Sequence, residues 1–347
     1  MVNKRNHTLD FLRVVAAFLV VYAHMPFPGA LGRHIIPFCR TAGSFFFMVS
    51  GYLVAAYPDA NRDIKLQKQI KHIFFLLMGS SLFYFVFNFF RTYEGPASML
   101  EYLGTYTQAT MTPDRLRDFA LFNRSPFMFH LWFLGSMLYA LIIYYFLRKD
   151  DNRYKMAIKL IPLLLFVNLT LGAYAPLLFG EQLIPMYSRN FLLLGLPYLL
   201  LGAKMREINE VKLGNGQLIA LFCLLQIMVY VERAVAIHYR GFEDGEYFIT
   251  TPFLSIVLFL LIIKNPDTFA NSPFTQWGRQ YSLMIYIMHP AVEIMLKKLV
   301  SFTTLSNATF RWILPFGCFG LSLLFSIGFY RLIGWVKQKN ATMDKGA

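Results

Sequence analysis

Residues 8–54 read TLDFLRVVAAFLVVYAHMPFPGALGRHIIPFCRTAGSFFFMVSGYLV, two apolar runs parted by the turn signal Pro26-Phe27-Pro28-Gly29. The first run, Leu9 to Met25, is long and apolar enough for a membrane-spanning helix, yet it carries Arg13 and His24. An ionisable group at membrane depth is costly and marks a functional site by default. Eleven residues separate the two. That is about 1100° of helix, so they share a face to within about 20° and stand roughly 16 Å apart along the axis. Such a face cannot lie against lipid and predicts a polar cavity within a helical bundle.

Composition extends this reading to the whole chain. Of 347 residues, 56% are apolar, 17% aromatic and only 15% charged, against about 25% charged in soluble domains. Apolar runs recur at 9–25, 37–57, 72–91, 128–147, 157–175, 188–204, 216–236, 250–264, 280–300 and 310–334. The expected fold is all-α, a multi-pass bundle of about ten transmembrane helices in one domain, 1–347, without a separate soluble module. Its expected location is a cell inner membrane or a plasma membrane. The first run follows Lys4 and Arg5 like a signal peptide, but Arg13 interrupts it and no convincing cleavage site follows, so it is expected to remain as a helix. Cys39, Cys223 and Cys318 form no CxxC pair and suggest neither a metal site nor a disulfide framework.

With the N-terminus inside, 20 of the 33 Lys and Arg residues fall on cytoplasmic segments and 12 outside, with Arg13 in the membrane. Both termini are then cytoplasmic. Much of the net charge of +14 is topology signal and contact with anionic lipid, which removes the argument for nucleic acid as a partner. The longest segment between spans, about 92–127, is expected outside, as a short amphipathic surface helix or a lid.

Each polar candidate carries two readings. His24 is either an interfacial cap or a general base, a role that the near-neutral unperturbed pKa of a histidine side chain suits. Arg13 either pairs with Asp10, one turn earlier, or binds the phosphates or thioester end of a donor. Lys65, Lys68 and Lys71 recur every third residue, either as an ordinary positive-inside loop or as a phosphate clamp. His289 and Glu293, one turn apart beside Pro290, form either a structural pair at a proline kink or a buried pair that tunes the site. Arg40, Ser50, His130 and Trp132 complete the candidates; Ser50-Gly51 is most simply a close helix contact. Glu232 reads as an interfacial ion pair with Arg233.

The pattern LDxLRxxAxxxVxxxH from Leu9 to His24, FFFMVSGYL at Phe45–Leu53, HLWFL at His130–Leu134 and YSLMIYIMHP at Tyr281–Pro290 together resemble the acyltransferase-3 family of integral membrane O-acyltransferases. The resemblance spans nearly the whole chain. It implies transfer of an acyl group, acetyl by expectation, from cytoplasmic acyl-CoA to a hydroxyl of an extracytoplasmic or lipid-linked glycan. It makes Arg13 and His24 the essential pair and acyl-CoA a donor substrate, with no tightly bound cofactor. Many relatives read HxWSLxxE; here Met137 stands where the carboxylate would be, so no role carries over to it. Lysines replace an often arginine-rich basic motif, giving point charges without the guanidinium fork. The rival reading is a transporter of a small amino acid or other polar solute, since similar membrane parts occur fused to serine racemases.

Overall fold

A computed structural model describes residues 5–95, 98–240, 247–303 and 306–343. Lys4 and Lys345, counted in the charge bias, lie outside the described residues. The described chain is helical throughout: α1 (His7–His24), α2 (Gly29–Ala55), α3 (Arg62–Thr92), α4 (Met99–Thr110), α5 (Pro113–Phe122), α6 (Trp132–Leu147), α7 (Asp151–Leu171), α8 (Ala175–Phe179), α9 (Leu196–Met205), α10 (Asn215–Arg240), α11 (Thr250–Lys264), α12 (Pro273–Val300) and α13 (Asn307–Met343). A π-helical turn, Phe191–Gly195, leads into α9. Every expected apolar run overlaps a helix, and among the described residues seven helices are long and apolar enough to cross a membrane. Apolar side chains stand outward on several of them, Phe75 70%, Phe166 63% and Leu324 64% exposed, the surface that lipid tails cover in a multi-pass membrane protein.

Helix starts differ from expectation where local chemistry overrides hydropathy. Pro37 was expected to open the second span but lies inside α2, which begins at Gly29 (φ +77°) after the Pro-Phe-Pro turn. The stretch 58–71, expected as a loop, is largely the first turns of α3, so Lys65, Lys68 and Lys71 ride exposed on a helix. Asp150 caps α7 through the amides of Asn152 and Arg153, starting it before its apolar part. The 92–127 segment holds two short helices. Tyr102 and Tyr106 of α4 lie against Phe89, and their hydroxyls donate to Thr92 Oγ1 (2.8 Å) and the Phe85 carbonyl (3.1 Å). Asn123 (φ +62°) ends α5, and its Oδ1 accepts from the Ser136 hydroxyl at 3.1 Å.

The helices form two compact units. The larger, Gly43–Lys264, contains the end of α2 and α3–α11. Its tightest crossing is between α2 and α9: an added Cβ at Gly51 would fall 1.9 Å from the Leu199 carbonyl oxygen, and one at Gly202 would fall 2.0 Å from that of Met48. Glycine lets these backbones touch. At one end, Asp63 pairs with Lys149, which raises the lysine pKa through that hydrogen bond. At the same end Arg62 donates to the Arg148 carbonyl, and Arg206 to the Tyr52 hydroxyl at 2.9 Å. The basic residues of alternate connections are thus neighbours, as consecutive spans require. Elsewhere in this unit the Glu232 carboxylate accepts from the Tyr174 hydroxyl (2.7 Å) and from the amides of Ile249 (2.8 Å) and Thr250 (3.1 Å). It joins α8 and the start of α11, and the expected Arg233 pairing gives way to these aligned donors.

The smaller unit combines Arg5–Ala42 with the chain from Asn265 onward, bringing α1 and the start of α2 together with α12 and α13. A Cβ at Gly278 would lie 1.9 Å from the Asp10 carbonyl oxygen, so α1 and α12 cross backbone to backbone. Phe11 stacks on Phe269 at 3.9 Å, and Phe18 meets Phe316 and Phe319. The His7 amide donates to the Pro266 carbonyl at 2.7 Å, closing the end where α1 begins.

Candidate functional site

The smaller unit holds Arg13, His24, Asp10, Arg40, His289 and Glu293. At the first end of α1, Asp10 is 7% exposed and accepts from Arg5 Nε at 2.9 Å and from Arg13 Nη1 at 3.5 Å. One carboxylate therefore serves two guanidinium groups. Arg279 and the Tyr330 hydroxyl also interact electrostatically with Arg13. The Arg13 side chain is 18% exposed, and its Nε finds no hydrogen-bond partner among the described residues. A part-buried guanidinium with spare donors is suited to hold an anion or a polarised oxygen. Arg40 is half-buried, one turn after Pro37.

At the other end of the same helix, His24 is exposed and its ring stacks on that of His289, 5.2 Å between centroids and 19° between planes. His289 is fully buried. Its orientation follows from its neighbour in sequence. Pro290 has no N–H, so the Tyr286 carbonyl, four residues earlier, loses its helical donor. His289 Nδ1 lies 2.7 Å from that oxygen and takes the place. A carbonyl only accepts, so Nδ1 carries the proton. The buried ring is held by α12 itself and offers a flat face to His24. Glu293 does not complete the expected pair with His289; its carboxylate accepts from Lys297 at 2.6 Å, the next residue along that face of α12.

His24 also lines a cavity of about 520 Å³ at this end of the unit, with Met25, Pro26, Lys297, Val300, Ser301, Phe310, Arg311 and Leu314. Small-molecule sites commonly enclose about 300–1,000 Å³. Among the described residues no group of three or more His, Cys, Asp or Glu could hold a metal ion.

The larger unit holds the remaining candidates. His130 is 1% exposed in the short turn before α6 and meets Tyr84 edge-on at 5.1 Å. Trp132 packs near Phe47 and Phe133. Ser50 is half-buried beside the Gly51 crossing. Lys65 stands over the Tyr57 ring at 5.5 Å, and Lys68 and Lys71 are exposed farther along α3.

The acyltransferase-3 profile, described as an acyltransferase domain, matches residues 6–331. The chain belongs to the acyltransferase-3 family. The match takes in parts of both units and every candidate residue named above; Arg5 lies just before it. This acyltransferase-3 chain is also similar to a serine/alanine racemase of Enterococcus gallinarum, 24% identical over 312 residues, which is 82% of this chain and 40% of that protein. The chain thus spans less than half the length of that relative. No solved structure matches.

Sequence reasoning did not single out Arg5, Gly278, Lys297 or Arg311. Only one local signal pointed toward the His289 geometry, a His-Pro step four residues after an apolar-helix carbonyl. Nothing local distinguishes Gly278 from any other helical glycine.

Proposed function

We propose that this chain is a membrane O-acyltransferase that takes an acyl group, acetyl by preference, from cytoplasmic acyl-CoA. The acceptor is a hydroxyl of an extracytoplasmic or lipid-linked saccharide. The observation that carries the reading is one unbroken helix, α1, with a part-buried guanidinium toward one end and, at the other, an exposed imidazole that lines a small-molecule-sized cavity. In this reading His24 removes the proton of the acceptor hydroxyl as the oxygen attacks the thioester carbonyl. The carbon–sulfur bond breaks, the CoA thiolate leaves and is then protonated, and the acyl ester forms. His289 stacks behind His24 and fixes the ring that must meet the hydroxyl. Arg13 binds donor oxygen, and Lys65, Lys68 and Lys71 hold coenzyme A phosphates as point charges. The decisive measurement is calorimetric binding of acetyl-CoA to detergent-purified protein together with its slow hydrolysis. Neither binding nor hydrolysis would overturn the reading and favour transport of a small amino acid, which the resemblance to a serine/alanine racemase motivates.

Two further outcomes are expected. In intact cells, a cysteine at Lys68→Cys should resist a membrane-impermeant thiol reagent and become reactive on permeabilisation, because the basic end of α3 is cytoplasmic in this scheme. Efficient labelling before permeabilisation would put the donor on the wrong side. Replacing Lys65, Lys68 and Lys71 together by Ala should weaken acetyl-CoA binding roughly tenfold at low salt, with the difference shrinking as salt screens the phosphates. Unchanged affinity would return the lysines to a purely topological role.

A further inference from the structure

We propose that the cavity beside His24 selects an acceptor saccharide bearing an anionic group, phosphate or carboxylate, which Lys297 and Arg311 receive while the reacting hydroxyl meets His24. This rests on the acyl-transfer reading above. The lining is divided in the way such a ligand requires. Met25, Phe310 and Leu314 give an apolar wall for the face of a sugar ring, and His24, Lys297 and Arg311 supply polar groups.

The two cations are not equivalent. Lys297 lies in the last turn of α12, where the helix dipole favours positive charge, and Glu293 already neutralises it at 2.6 Å. Its presence needs no ligand. Arg311 lies in the second turn of α13, near the helix end that favours anions, and has no ion-pair partner among the described residues. The net charge on the cavity wall is therefore positive, and the excess resides on a guanidinium whose fork suits phosphate or carboxylate. The expected topology sharpens the point. It puts this end of the unit on the extracytoplasmic side, where such an acceptor would reach it.

The test uses full-length protein purified in uncharged detergent, with glucose 1-phosphate, methyl glucoside and inorganic phosphate as calorimetric probes and acetyl-CoA titrated in the same preparations. Glucose 1-phosphate should bind at least about tenfold more tightly than either other probe. Arg311→Gln should abolish that preference, Arg311→Lys should keep part of it, and rising salt should reduce it, as a charge-assisted contact implies. Methyl glucoside binding as tightly would overturn the proposal, as would an Arg311→Gln variant with unchanged preference. Equal binding of inorganic phosphate would leave a charge site without saccharide recognition, also against it. Nanodiscs separate a lipid headgroup from a soluble acceptor. Loss of glucose 1-phosphate binding in phosphatidylglycerol discs, with retention in phosphatidylcholine discs, would assign the cations to lipid. Acetyl-CoA binding without anion preference defeats this inference alone. Anion preference without acetyl-CoA binding defeats the acyl-transfer reading, and the acceptor role falls with it.

Discussion

A His24→Ala variant is expected to lose acyl transfer by about 10²–10⁴-fold while binding acetyl-CoA as the parent does, because a general base contributes to rate and little to donor affinity. His24 is exposed at the end of α1, so its truncation opens no buried cavity and the comparison can be made at matched expression. Arg13→Ala should show the opposite split. It removes a part-buried cation from a place where little water can replace it, and it leaves Asp10 with Arg5 alone. Donor binding should then fall first, with transfer following. Arg13→Lys is the sharper comparison, since it keeps the charge and loses the planar fork. The measurements are acetyl-CoA calorimetry on purified variants and saccharide acetylation in cells lacking the native protein. A His24→Ala protein that acetylates at a near-parental rate would sink the general-base assignment. Equal loss of donor binding in both variants would dissolve the division of labour between the two ends of the helix.

The second large effect is expected far from any reacting group. Gly278→Ala forces a methyl group to within 1.9 Å of the Asp10 carbonyl oxygen and 2.9 Å of the Val14 amide nitrogen, so α1 and α12 must separate. The obstacle is backbone and cannot rotate away. The cost should reach the upper end of the roughly 1–3 kcal/mol typical of overpacking, or exceed it. Because Asp10 and Arg13 sit on the displaced stretch, donor affinity should fall along with the unfolding temperature in detergent. Gly320→Ala on α13 is the matched control: its Cβ would meet nothing within 4 Å, and alanine is the better helix former by about 1 kcal/mol. It should leave stability unchanged or slightly raised. A Gly278→Ala protein as stable as the Gly320→Ala protein would show that the crossing is looser than the structure has it.

The sequence by itself determined the class of this protein and where its helices run. Apolar runs, turn residues and the positive-charge bias are properties of neighbours along the chain, and hydrocarbon leaves a backbone little choice but to satisfy itself in helices. The same locality put Arg13 and His24 on one face of α1, since eleven residues of regular helix fix an angle wherever that helix goes. Local pattern also failed where capping and proline compete with hydropathy, as at α2, α3 and α7. Only the tertiary structure decided what stands opposite that face. His289 is 265 positions from His24, and their stacking depends on which side of α12 meets α1. That side is set by Gly278 against Asp10, a fit of backbone to backbone that no periodicity encodes. Glu293 went to Lys297 although His289 is equally one turn away, because the His289 Nδ1 is committed to the Tyr286 carbonyl that Pro290 leaves without its donor, whereas Lys297 brings an ammonium with free donors. The cavity at His24 arises from the ends of α1 and α12 and the start of α13, three places the chain reaches separately, and packing alone determines that they meet.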